Sequence, residues 1–342
     1  MLAPPSRTTV SPRYRPMASV KTPGGSLGRP AAHRHRLDAK RDGWVERTVA
    51  TSDGVRLAVR EYGTVDAEHT LVLLHGLCLT QESWAAQIRQ LIRQWGNTIR
   101  IITYDHRGHG RSADASMRTY RIDRLATDLA EVLTALRVEG PLTLAGHSMG
   151  GMTALAYLGR PTEARPVEPQ GLVLIATAAG KIAERGIGRL LATPATRMLF
   201  ELVHHMPGGA TERAIKALVR PICEAITRYA GEASTERNAL AAVAAGAVSS
   251  TALTTAAGFL PSLKRFDQYQ TISSITANTV IVSGGADVLT PASHAHDLLA
   301  AIPGASHVHR PTAGHMLLQE APRCISTAID SAMGMQRRDR SA

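Results

Sequence analysis

The sequence predicts an α/β protein built on a largely parallel β-sheet with helices over both faces. Three observations point there. Short continuous Val/Ile/Leu runs recur along the chain, stretches of helical periodicity separate them, and 342 residues are enough for one large domain with an insertion.

Taken in order, ordered sequence is expected from Trp44. Val45–Thr48 and Val55–Tyr62, joined by Ser52-Asp53-Gly54, read as an antiparallel hairpin. Thr70–Leu74 is a buried strand, followed by a helix with Trp84, Ile88, Leu91, Ile92 and Trp95 on one face. Ile99–Tyr104 precedes a second helix with Ile122, Leu125, Leu129, Leu133 and Leu136 on one face. Leu142–Ala145 runs straight into a helix beginning near Met149, and Gly171–Ile175 is another buried strand. Thr279–Val282 precedes a helix opened by Thr290-Pro291, read as N-cap and N1. His307–Arg310 is the last strand, and the last helix runs from about His315 to Ala332.

The alternation breaks between Lys181 and Leu263. There the pattern is helical throughout, interrupted at Pro194, Pro207, Pro221 and Gly208-Gly209, which predicts a helical cap inserted between two sheet strands. The resulting division is a disordered basic tail at 1–42, a core at 43–181 and 263–334, a cap at 182–262 and a basic tail at 335–342.

Charge location decides between function classes. Of the net charge of +11, residues 1–42 carry +7 and the last eight carry +2, leaving +2 for residues 43–334. The predicted globular part is nearly neutral, so the basicity belongs to solvated tails and no nucleic-acid partner is expected. No run of eighteen apolar residues is present, so stable membrane insertion is not expected either. Cys78, Cys223 and Cys324 are odd in number, widely spaced and without a C-x-x-C pattern. They point to a reducing compartment and a cytoplasmic location, with no disulfide or zinc framework. The first forty residues lack the apolar stretch of a secretory signal.

The chemistry centres on Gly146-His147-Ser148-Met149-Gly150-Gly151. Alone, G-x-S-x-G is a weak pattern; here it lies between an apolar strand and a helix-forming stretch, which is what a nucleophile elbow requires. Flanking positions in so tight a turn must lack bulk, hence Gly146, Gly150 and Gly151. Acyl transfer to a serine creates an oxyanion that needs two preorganised donors. His75-Gly76-Leu77 follows directly on a strand, so the Leu77 amide is expected to serve beside that of Met149, with Gly76 as the loop glycine. Cys78 is read as a packed neighbour.

An acid and a base are expected late in the chain. Asp287, in Gly284-Gly285-Ala286-Asp287, follows the strand Thr279–Val282, whereas the other loop in an equivalent position, Ala176-Thr177-Ala178-Ala179-Gly180, offers no carboxylate. Among fourteen histidines, His315 follows the last strand and is placed to reach over the sheet edge; His307 and His309 share one strand face and read as structural. The pairs His204-His205 and His294/His296 lack acidic or cysteine companions at metal spacing and read as surface or cap residues, so no metal is expected. Tyr104-Asp105-His106-Arg107-Gly108-His109-Gly110-Arg111-Ser112 reads as a hydrogen-bonded loop bracing the floor of the site.

Together, His75-Gly76, the Asp105–Ser112 loop, the elbow around Ser148, Asp287 ahead of Thr290-Pro291, and Gly314-His315 resemble the α/β-hydrolase superfamily, above all bacterial serine esterases and monoacylglycerol-lipase-like members. The likeness covers about residues 44–334 without the cap. It implies an eight-stranded, mostly parallel sheet with the cap after the sixth strand, and a triad of Ser148, Asp287 and His315. Serine at the elbow, where epoxide hydrolases and haloalkane dehalogenases need a carboxylate, sets the chain apart from those branches. A single glycine after His75 departs from the Gly-Gly-Gly run of the hormone-sensitive-lipase pattern.

The expectation is a carboxylic-ester hydrolase acting on a small-molecule ester through an acyl-enzyme, with no cofactor. The cap residues Leu190, Leu191, Leu199, Phe200, Leu202 and Met206 are candidates for roofing an apolar acyl pocket. Lactone, thioester or carbon–carbon bond cleavage and cofactor-free perhydrolysis are alternatives on the same triad. A ligand-binding receptor with a vestigial triad is the alternative of a different class.

Overall fold

The apolar runs pair into one eight-stranded sheet. The computed structural model describes residues 43–186, 188–189, 201 and 253–335. Its strands are β1 (Trp44–Ala50), β2 (Arg56–Tyr62), β3 (His69–Leu74), β4 (Ile99–Tyr104), β5 (Leu142–His147), β6 (Gly171–Ile175), β7 (Asn278–Gly284) and β8 (Ser306–Arg310). Their spatial order is β1-β2-β4-β3-β5-β6-β7-β8. β2 pairs antiparallel with β1 and β4, and every other pairing is parallel. β3 and β5, the carriers of the predicted oxyanion loop and elbow, are direct neighbours, with Leu74 beside Gly146.

Parallel strands covered on both faces need apolar residues at every position, not every second one. β3 illustrates this. Val72 and Leu74 enter a core with Leu125, Leu129, Leu155 and Leu298, while Leu71 and Leu73 enter a second core with Trp84, Leu91, Ile325 and Ile329. The first core is closed by α2 (Ile122–Ala135), α3 (Met149–Leu158), α4 (Leu253–Arg265) and α6 (Ala292–Ala301), and the second by α1 (Ala85–Trp95) and α8 (Pro322–Met333); α5 (Tyr269–Ile272) and α7 (Leu317–Glu320) are single turns. Among the described residues no helix is long and apolar enough to cross a membrane.

Four local expectations are corrected. Ile92 lies on the outside of α1, and Gln87 takes the inward place because its amide donates to Leu318 O at 2.8 Å. The final helix is broken: Pro322 has no N–H and holds Ala321 out of the helical region (φ −136°, ψ 51°), so α7 stops and α8 starts with proline at its first turn. α6 starts at Ala292, and Thr290 does not cap it; its hydroxyl turns to Asp287 instead. His294 is buried within α6, not a surface residue. The predicted cap lies largely outside the described residues, as do its candidates at 190, 191, 199, 200, 202 and 206, the pair His204-His205, Cys223 and the tails at 1–42 and 336–342.

Candidate active site

β5 ends at His147 and α3 begins at Met149, leaving Ser148 alone to make the turn. It does so at φ 52° and ψ −117°, a conformation that costs a non-glycine residue about 1–3 kcal/mol and persists only where neighbours over-determine it. Those neighbours are visible. Ser148 N–H donates to Ile175 O at 2.9 Å, and Ser148 O accepts from Gly151 N, Met152 N and the Thr177 hydroxyl at 2.9, 3.1 and 2.8 Å. The flanking glycines are steric requirements: a Cβ on Gly146 would overlap the Gly150 backbone, and one on Gly150 would overlap the Leu74 carbonyl.

Asp287 and His315 are brought together from the loops after β7 and β8. His315 Nδ1–H donates to Asp287 Oδ2 at 2.8 Å, with both residues buried. The other partners of the carboxylate are local: Leu289 N and Thr290 N donate to Oδ1 at 2.9 Å each, and the Thr290 hydroxyl donates to Oδ2 at 2.7 Å. Burial alone would push this carboxyl up; the opposing His315 charge and the hydrogen bonds from His315 and Thr290 hold it below the usual carboxylate value. With Nδ1 committed to Asp287, the ring is left with Nε2 for other work.

Ser148 and His315 line the same cavity of about 300 Å³. Among the described residues the Ser148 hydroxyl makes no hydrogen bond to the His315 ring, a contact that commonly tightens only with substrate in place. Leu77 and Met149 also line the cavity, and neither of their amides donates to a carbonyl among the described residues. The Gly76 backbone passes so close that a Cβ there would lie 3.2 Å from Ser148 Cβ and 2.9 Å from His147 Nδ1. Beside His147 and Thr290, the rest of the described wall is mostly apolar, including Leu79, Met152, Ile182, Leu260, Leu263 and Leu289.

Two residues that brace this geometry are not signalled as such in the sequence. One is Thr290. The other is His147, whose Nε2–H donates to the backbone carbonyl of His315 at 2.8 Å, tying the elbow to the loop that carries His315. Burial, reinforced by nearby His315, pulls the His147 ring down to about 3, so it stays a neutral donor. The partners in this bond are 168 residues apart, and nothing local marks them.

The loop after β4 braces the floor. Asp105 accepts from Gln81 N, Gln81 Nε2 and Arg111 N at 2.8–3.1 Å, and the buried Arg107 pairs with Asp128 at 2.6 Å and Asp53 at 2.9 Å. His307 and His309 share a face of β8 and meet on the Ser283 hydroxyl at 2.8 and 2.9 Å. Cys78 is buried, which pushes its thiol up to about 12. No cluster of three or more potential metal ligands is found among the described residues.

Residues 69–322 match the family model described as alpha/beta hydrolase fold. A bifunctional esterase/perhydrolase of Acinetobacter calcoaceticus is 33% identical over 112 residues, 33% of this chain and 38% of that protein. A non-heme chloroperoxidase of Streptomyces lividans is 33% identical over 118 residues, 34% of this chain and 41% of that protein. The chain thus spans about two fifths of the length of these relatives. A solved hydrolase structure from Pseudomonas aeruginosa superposes with a TM-score of 0.63 at 26% identity, covering 85% of this chain and 98% of that one.

Proposed function

The chain belongs to the alpha/beta hydrolase fold family, and from that premise we propose that it is a serine hydrolase cleaving carboxylic esters through a Ser148–His315–Asp287 triad. The observation that carries the reading is the 2.8 Å hydrogen bond between His315 Nδ1 and Asp287, with Ser148 on the wall of the same cavity.

In this reaction His315 Nε2 takes the Ser148 proton as Oγ attacks the ester carbonyl. The oxyanion accepts from the amides of Leu77 and Met149, and Asp287 stabilises the imidazolium without taking its proton. Collapse breaks the bond to the alcohol oxygen, which receives the proton from His315. Water then gives a proton to His315 and attacks the acyl-enzyme; expulsion of Ser148 releases the acid and returns the proton to Oγ. His315 carries every proton, so the sequence draws on no cofactor. The apolar wall favours an uncharged acyl group of small to medium size.

Perhydrolysis is the second reading, favoured by likeness to a relative named as both esterase and perhydrolase. Hydrogen peroxide would replace water in deacylation and the product would be a peracid. The test is p-nitrophenyl acetate with and without peroxide. The proposal predicts a burst of nitrophenol that Ser148→Ala abolishes; a burst surviving that substitution, or no turnover by the native chain across a series of acyl lengths, would refute it.

A further inference from the structure

The loop that carries Leu77 is held by imidazole rings. His75 Nδ1–H donates to Gly76 O at 2.8 Å, and His75 Nε2 accepts from His106 N–H at 2.9 Å. His106 Nε2–H returns to His75 O at 3.2 Å. On the other side of Leu77, Cys78 N–H donates to His109 Nε2 at 3.3 Å, while His109 Nδ1 lies 3.0 Å from Arg107 O. A carbonyl can only accept, so Nδ1 of His109 carries the proton and Nε2 presents its lone pair to Cys78.

Cys78 sits at φ +60°, a left-handed conformation that a cysteine adopts only under constraint. His109 supplies the acceptor that satisfies its N–H and so fixes this turn. The ring itself is fixed by packing, 5.2 Å from the His75 ring and 5.9 Å from Phe259 of α4, and it is buried. The same loop presents two consecutive amides: that of Cys78 is held by His109, and that of Leu77 has no carbonyl acceptor among the described residues.

We propose that His109 is a positioning residue for the oxyanion site, holding the Cys78 amide so that the Leu77 amide stays directed at the reacting oxygen. The proposal rests on the serine-hydrolase reading. Because an oxyanion donor out of place loses transition-state stabilisation and little ground-state binding, the effect belongs in kcat and not in KM.

The side chains of Gln and Asn separate the two bonds of the ring. Gln reaches the Nε2 position and can still accept from Cys78; Asn reaches only the Nδ1 position and cannot. H109Q is expected to keep kcat for p-nitrophenyl acetate within about threefold of the native value, and H109N and H109F to lose about 10–100-fold with KM little changed. A thiono ester provides the specific readout, because its sulfur is a poor hydrogen-bond acceptor and gains little from the oxyanion donors. The ratio of ester to thiono-ester rates should therefore fall in H109N and H109F and be restored in H109Q. Equal losses in H109Q and H109N, or an unchanged ratio in a folded H109N, would overturn the proposal while leaving the hydrolase reading intact. A native chain without esterase activity would overturn both.

Discussion

Two buried acid–base clusters lie at the carboxyl edge of this sheet, and they differ in what they leave over. In the first, Arg107 is wholly enclosed and bidentate on Asp128 through Nε and Nη2, with Asp53 accepting from Nη1 and also from Nη2. All three of its nitrogens are engaged, and it ties the β1–β2 turn and α2 to the floor loop. In the second, Asp287 is saturated by four hydrogen bonds, but among the described residues the His315 ring it holds has one nitrogen uncommitted, on a cavity shared with Ser148, Leu77 and Met149. A saturated cluster is architecture; a cluster with one valence directed at a cavity can do chemistry.

The sharpest way to separate them is a pair of substitutions. Asp287→Asn should leave the fold standing and lower kcat by about 10⁴-fold, since the imidazole loses its tautomer and its counter-charge. Arg107→Met should do the reverse: two carboxylates lose their buried partner, stability falls by about 3–5 kcal/mol, and the molecules that remain folded keep their turnover per site. Thermal unfolding and active-site titration of both variants check the pair. A stable Arg107→Met protein with no activity would erase the distinction.

Acid probes the histidines that both regions share. Burial holds His75 at about 4 and His109 and His147 at about 3, against an ordinary value of 6.5. Between these values the unfolded chain binds protons that the folded chain excludes. Stability is therefore full above about pH 6.5 and falls as pH drops, by up to about 1.4 kcal/mol per unit for each ring. Denaturant titrations followed by circular dichroism should show the midpoint falling from pH 6.5 toward pH 4. A stability that does not fall between pH 6.5 and pH 4 would contradict neutral burial of these rings.

The smallest effect is expected at Thr290. Thr290→Val removes the hydroxyl bond to Asp287 but keeps both backbone donors, so kcat should fall about tenfold, ~1.4 kcal/mol, with KM unchanged. Steady-state kinetics measures this directly.

How much of this was legible follows from distance along the chain. The strands, the elbow glycines and the loops holding Asp287 and His315 are signalled by neighbours within a few residues: an apolar run, then a turn, then a polar side chain. Pro322 is equally local: by keeping Ala321 out of the helical region it splits in two the helix that periodicity predicts. Ile92, His147 and Thr290 were beyond local reading. Ile92 has the hydropathy of a core residue and is displaced by Gln87, whose acceptor on Leu318 lies 231 residues away. Thr290-Pro291 carries a helix-start signature, yet three-dimensional proximity to Asp287 claims the hydroxyl. The clamp on Leu77 likewise joins His109 to Cys78 across 31 residues, and periodicity says nothing about such a contact.

The measurement that bears most directly on the central claim is peptide mapping after treatment with a fluorophosphonate. The account predicts one covalent adduct, on Ser148, that forms at a much reduced rate in Asp287→Asn and is absent in Ser148→Ala. No adduct on the native, folded chain, or an adduct on another residue with Ser148 untouched, would contradict it.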